Sequence, residues 1–200
     1  MANLVFTYAP MNSGKSTALL QLAHNYSFKG FYVILYTADI ENRFGEGIIG
    51  SRIGIKSNCF QFNKDTDFIN EITMNCLIKN NTVILVDESQ FLSEKQVRQL
   101  FVLAHKNNIQ VFCYGIRSDI NGQPFSGSSY LLALADEINS IRSVCKCGKQ
   151  ATMHLKINQS KQLAEYVCDF INGESSVQID IGAEDKYDIV CSDCFLNQKQ

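Results

Sequence analysis

Three groups of residues carry chemistry. The first is Gly14-Lys15-Ser16-Thr17, set between the apolar run Leu4-Val5-Phe6 and a helix-forming segment that starts at Ala18. A loop between a buried strand and a helix points backbone N–H groups at phosphate oxygens and places them at the positive helix end. The lysine then neutralises the terminal phosphates, and the Ser16 hydroxyl takes Mg²⁺. The pattern G-x-x-x-x-G-K-[ST] is complete except at its first position, which is Ala9. The second group is Asp87-Glu88, directly after the apolar run Thr82–Val86. Downstream of a phosphate loop, an acid at that place holds Mg²⁺, directly or through water. Its neighbour Glu88 projects from the strand end, where a carboxylate can accept a proton from a hydroxyl. The third group is two cysteine pairs, Cys145-x-Cys147 and Cys191-x-x-Cys194. Four thiolates close a tetrahedral Zn²⁺ site and leave no open position, so the zinc is structural rather than catalytic.

These groups need elements to hold them. Ala18, Leu19, Leu22, Ala23 and Tyr26 recur at helical spacing, which predicts a helix over 15–29 ended by Gly30. Phe31–Tyr36 reads as a second buried strand. Strand, helix and strand make a right-handed βαβ unit, so the sheet should be largely parallel. Residues 37–57 carry four glycines and no clean periodicity, and read as a loop. The loop follows the carboxyl end of a strand, where α/β proteins bind ligands, so Asp39, Glu41, Arg43 and Arg52 either face a substrate or lie in solvent. Residues 65–79 read as a helix with Phe68, Ile69, Ile72 and Cys76 on one face. Thr82–Val86 is a central strand. Ser93 and Gln96 form a capping box for a helix that runs to about Asn107. Ile109–Tyr114 is another strand, and Ser129–Ile138 a short helix. His24 and His105 fall on helix surfaces, and His154 has no evident nucleophile to serve. Beyond Val144 the alternation of Met153, Leu155 and Ile157 suggests a hairpin-like arm or long loop between the cysteine pairs. Cys59, Cys76, Cys113 and Cys168 read as small core or surface residues.

The 200 residues suffice for one α/β core and a small appendage, with a boundary expected between 1–143 and 144–200. A hydrophobic content of 46% and a net charge of −2 fit a globular protein without an overall basic face, so no nucleic-acid partner is expected. The opening MANLVFTY reads as the first strand rather than a signal peptide. No apolar run approaches the roughly 20 residues of a membrane span. A cytoplasmic location without membrane partners is therefore expected, and reduced thiols there favour metal over disulfides.

Together the motifs resemble the type II thymidine kinases, most closely the bacterial members. The residues that carry the resemblance are Pro10-Met11-Asn12-Ser13-Gly14-Lys15-Ser16, Asp87-Glu88-Ser89-Gln90-Phe91, Tyr114-Gly115-Ile116-Arg117-Ser118-Asp119, both cysteine pairs, and Ile181-Gly182 through Tyr187 to Cys191. The resemblance implies a RecA-like P-loop core with a mostly parallel sheet and a C-terminal zinc-ribbon and lasso domain. It implies transfer of the ATP γ-phosphate to the 5′-hydroxyl of thymidine, with Glu88 as base. ATP would be held by residues 9–17 (Ala9, Pro10, Met11, Asn12, Ser13, Gly14, Lys15, Ser16, Thr17) and Arg43, with Mg²⁺ on Ser16 and Asp87. The nucleoside would meet Met11, Glu41, Gln90, Ile116, Ile120, Phe125, Ile179, Ile181, Gly182 and Tyr187. Cys145, Cys147, Cys191 and Cys194 would hold Zn²⁺. Feedback by thymidine triphosphate and a homotetramer are further implications. The chain departs from the family pattern at Glu41, usually aspartate, at Ile120, commonly phenylalanine, and at Ala183, usually glycine. It also carries an insert over 160–176. A nucleic-acid-driven ATPase shares the order of core motifs, and a P-loop with a purely structural nucleotide is a third reading. The acidic balance speaks against the former, and the intact Lys15, Ser16, Asp87 and Glu88 speak against the latter.

Overall fold

In the computed structural model, residues 3–74, 81–156, 171 and 187–197 are described. Alternation along the apolar runs divides each central strand between two faces of one sheet. The strands of that sheet are β1 (Leu4–Tyr8), β2 (Tyr32–Ala38), β5 (Phe60–Phe62), β6 (Thr82–Val86), β7 (Gln110–Gly115) and β8 (Glu137–Ser140). Their order is β5-β2-β6-β7-β1-β8, and every pairing is parallel. Leu4, Phe6, Ile34, Tyr36, Ile84, Val86, Val111 and Cys113 face one side. There they meet α2 (Phe68–Met74), α3 (Glu94–Lys106) and α4 (Ser126–Leu134). Leu35, Val83, Leu85 and Tyr114 face the other side and meet Leu19, Leu20 and Ala23 of α1 (Lys15–Phe28). Because both faces are covered, β6 is buried at all five residues, as its continuous, mostly β-branched run requires.

Helix α1 matches the predicted span to within a residue, and α3 starts with the expected capping box. The Ser93 hydroxyl accepts the Gln96 N–H at 3.3 Å, and the Gln96 side chain accepts the Ser93 N–H at 2.9 Å. Three expectations are corrected. Strand β2 runs two residues further than Tyr36, because Thr37 and Ala38 pair with Gln61 and Phe62 of an edge strand that the sequence did not reveal. The expected loop over 37–57 contains an antiparallel hairpin, β3 (Ile48–Gly50) with β4 (Lys56–Asn58). The expected helix over 129–138 instead spans Ser126–Leu134 and is followed by β8. The Asp136 N–H donates to the Leu4 carbonyl and its carboxylate accepts the Leu4 N–H, both at 2.8 Å, which draws the chain onto the sheet edge. Cys76, the last residue of the expected α2 face, lies outside the described residues.

The C-terminal part is small and antiparallel. Strands β9 (Ser143–Val144) and β10 (Gln150–Ala151) pair, as do β11 (Met153–Lys156) and β12 (Tyr187–Val190), and α5 (Ser192–Leu196) closes the segment. Cys145, Ala151, Leu155, Val190, Cys191, Cys194 and Phe195 form its core. No described helix is long and apolar enough to cross a membrane.

Candidate active site and metal centre

Strand β1 ends at Tyr8, and after six intervening residues α1 begins with Lys15. The intervening loop needs two left-handed positions, Asn12 at φ 60° and Gly14 at φ 79°. Glycine takes that conformation without the steric cost of a Cβ, and asparagine is among the residues that tolerate it best. The ammonium of Lys15 is buried and donates to the carbonyls of Pro10 at 2.8 Å and Ala9 at 3.3 Å. Burial lowers its pKa, and the charges of Glu88 and Asp87 work in the opposite sense. The first glycine position of the phosphate-loop pattern thus needs only a backbone carbonyl, which Ala9 supplies.

Asp87 follows β6, and its N–H donates to the Tyr36 carbonyl at 2.8 Å. Its carboxyl is buried, accepts a hydrogen bond from the Ser16 side chain, and has its pKa raised by burial and by neighbouring Glu88. A carboxylate and a hydroxyl in contact at a phosphate loop are hard oxygen donors of the kind Mg²⁺ takes, so Ser16 and Asp87 fit that ion. Glu88 sits at φ 53°, a left-handed position for a residue with a full side chain. Such a backbone costs about 1–2 kcal/mol and marks a functional position when the surroundings enforce it. Here they do. Gln90 Nε2 donates to Glu88 Oε2 at 2.5 Å, and Arg43 reaches Glu88 Oε1 at 3.6 Å. Arg43 is itself held by Glu41, whose two oxygens accept its Nε–H at 2.8 and 2.9 Å. The single 3₁₀ turn after Glu88, Ser89–Phe91, rests on Gly115 and Gly127. A Cβ on Gly127 would meet the Ser89 carbonyl at 2.5 Å, and one on Gly115 would meet the Ser89 hydroxyl at 2.7 Å.

One cleft of about 260 Å³ is lined by Lys15, Ser16, Glu41, Arg43, Glu88 and Gln90, and the buried Asp87 touches it through Ser16. Its polar end holds the phosphate loop, Glu41, Arg43 and Glu88. Its other walls include Met11, Phe44, Gln90, Phe91, Ile116, Ile120, Phe125 and Tyr187. Gln90 has a second role, since its Oε1 accepts the Ile116 N–H at 3.2 Å while Ser128 donates to the Ile116 carbonyl at 2.5 Å. Phe91 and Phe125 meet edge to face at 6.0 Å. Of the nucleoside residues named from the sequence, the structure brings together Met11, Glu41, Gln90, Ile116, Ile120, Phe125 and Tyr187. Ile179, Ile181, Gly182 and Ala183 lie outside the described residues, as does the insert over 160–176 apart from Ile171. Asp39 is exposed and does not line the cleft, whereas Arg52 does.

Sequence reasoning missed Phe44, Phe91, Asp119 and His154. Phe44 was detectable only through Gly50, whose missing Cβ leaves room for the Phe44 ring at 2.3 Å. His154, unlike His24 and His105, is a buried residue, and its Nε2 accepts the Met11 N–H at 2.8 Å. Its place beside the phosphate loop comes from a strand 139 residues further along the chain than Lys15, which no local pattern encodes.

The four cysteines converge. The sulfurs of Cys145, Cys147, Cys191 and Cys194 all lie within 4.8 Å of one another. Backbone N–H groups of Cys147 and Cys191 hold the Cys145 thiol down, to about 6, whereas burial and the other thiols raise Cys194. An S₄ donor set at this spacing fits Zn²⁺ and leaves no ligand position for a substrate. Cys113 is buried and Cys59 half-buried, neither within the cluster.

The thymidine kinase family profile matches residues 2–195. The chain is 42% identical to a thymidine kinase of Chromobacterium violaceum over 195 residues, 98% of each chain. It is 45% identical to one of Albidiferax ferrireducens over 98% of this chain and 92% of that one. With a thymidine kinase of Haemophilus influenzae the identity is 40%, over 96% of this chain and 94% of the other. A profile match over almost every residue, relatives covered over 92–98% of their length, and a cleft that joins a phosphate loop to a braced carboxylate agree: the chain belongs to the thymidine kinase family.

Proposed function

We propose that this kinase transfers the γ-phosphate of ATP to the 5′-hydroxyl of thymidine, and also to deoxyuridine, in pyrimidine salvage. The observation that carries the reading is the meeting of Lys15, Arg43 and Glu88 in one cleft with apolar side walls, with the buried Asp87 carboxyl close to Lys15. Residues 9–17 would cradle the triphosphate with their N–H groups, and Lys15 would turn from its own loop carbonyls to the terminal phosphates. Bound Mg²⁺, held by Ser16 and Asp87, supplies charge neutralisation on the phosphate oxygens. Glu88 would accept the 5′-hydroxyl proton, steered by Gln90 and Arg43 so that one oxygen faces the acceptor. Arg43, held by Glu41, would steady developing charge, and Glu41 would meet the sugar.

The base would lie between Met11, Ile116, Ile120, Phe125 and Tyr187. Deoxyuridine lacks one methyl, worth about 1 kcal/mol of burial, and stays a substrate. Zn²⁺ on Cys145, Cys147, Cys191 and Cys194 would be structural, in a unit spanning 144–200 that follows a nucleotide-binding unit of 1–143. Thymidine triphosphate as feedback inhibitor and a homotetramer complete the reading, on the strength of the family likeness. Purified protein with MgATP and either thymidine or DNA tests it. Thymidine monophosphate should form. ATP hydrolysis that responds only to DNA would overturn the proposal.

A further inference from the structure

We infer that His154 is a positioning residue for the phosphate-binding loop: its Nε2 accepts the Met11 N–H and anchors the loop apex to the cysteine-bearing part of the molecule. The bond measures 2.8 Å and the imidazole is only 3% exposed. An acceptor Nε2 must be unprotonated, which places the ring proton of the neutral form on Nδ1. Burial and the nearby Lys15 charge favour that form and hold the imidazole well below its usual range, at about 4.

The loop apex has reason to need an anchor. Asn12 is left-handed, and the turn it makes aims the following amides into the cleft. Ser13 donates to the Met11 carbonyl at 3.2 Å, and its hydroxyl also meets that of Ser143. The Met11–Ser13 turn is therefore tied at both ends to residues that flank the cysteine cluster. His154 in turn is fixed by β11, where it pairs with Ile189, two residues before Cys191. Residues 11–13 are consequently tied to the β11–β12 strand pair rather than left to solvent. The inference rests on the reading of this loop as the ATP phosphate site.

Three variants separate anchoring from simple core filling. The side-chain carbonyl of His154→Gln reaches the place of Nε2. The shorter His154→Asn is as polar but does not reach, and His154→Leu offers no acceptor. Amide hydrogen exchange at Met11 reads the bond without any ligand, and calorimetric titration reads MgATP. In the Asn and Leu variants, Met11 exchange should quicken and MgATP binding weaken, each by about tenfold, the usual effect of stranding one buried donor. The Gln variant should stay within about threefold of wild type in both readouts. Wild-type MgATP affinity in the Asn variant, or a Gln variant as impaired as Leu, overturns the inference. If His154→Leu does not fold, the Gln and Asn pair decides. If the wild-type protein fails to bind MgATP, the phosphate-site reading falls, while Met11 exchange still judges the His154 bond.

Discussion

Glu88 combines a left-handed backbone, a hydrogen bond from Gln90 and a contact with Arg43. Its carboxylate is thereby held in the cleft with restricted freedom, as the general-base role proposed for it would require. Replacing Glu88 by Gln keeps the shape and removes the proton acceptor. Turnover should fall about 10²–10⁴-fold, the range for loss of a positioned base. MgATP affinity, read by titration calorimetry, should stay near wild type, and a variant with normal kcat would remove Glu88 from that role. His154 gives a second residue-scale prediction. Its folded pKa, about 4, lies below the unfolded value of about 6.5. Between those values the unfolded chain binds the extra proton, so the imidazole's contribution is full above pH 6.5 and is lost as pH falls toward 4. Urea unfolding at pH 7 and pH 5 should show wild type losing on the order of 2 kcal/mol more than His154→Gln. Asp87, with its pKa raised, acts in the opposite sense but is common to both proteins, so the difference isolates the imidazole.

At the scale of elements, the turn that follows Glu88 depends on the packing of α4. The turn Ser89–Phe91 lies on Gly127, where a Cβ would meet the carbonyl oxygens of Ser89, Leu92 and Gln90 at 2.5, 2.8 and 2.9 Å. Backbone oxygens cannot rotate away, so Gly127→Ala should cost about 1–3 kcal/mol and displace Glu88. Thermal unfolding and kcat measured together check this, and a variant unchanged in both would show that α4 yields. The same scale marks where the sequence was legible. Helix α1, helix α3 and strand β6 could be read because capping, apolar period and β-branching all agreed with their tertiary setting. Strands β5 and β8 could not. Each lies at an edge of the sheet; β5 spans only the three residues Phe60–Phe62, too short for a period to register, and β8 is exposed at all four residues and carries no apolar pattern. What makes them strands is a neighbour's backbone, β2 for one and β1 for the other.

On the scale of the whole molecule, the cysteine cluster and the phosphate loop form one mechanical system through His154 and Ser143. The core under the cluster is small, and a structural zinc contributes on the order of 10 kcal/mol to a unit of that kind. Chelation, or Cys194→Ser, should therefore abolish hydrogen-exchange protection in Ser143–Lys156 and Tyr187–Leu196 while the central sheet keeps its own. Protection that survives in both segments would show that the zinc is dispensable. By itself the sequence determined what local chemistry encodes: a phosphate loop, an acidic pair after a buried strand, four thiols in two pairs, and an α/β core to carry them. Each depends on residues adjacent in the chain, where spacing alone constrains geometry. Only the tertiary structure decided that Gln90 and Arg43 brace Glu88, that Phe44 and Phe91 join the cleft wall, and that a histidine far along the chain anchors Met11. Those contacts arise where separate segments are packed side by side, and the pattern within any one segment does not record its neighbour.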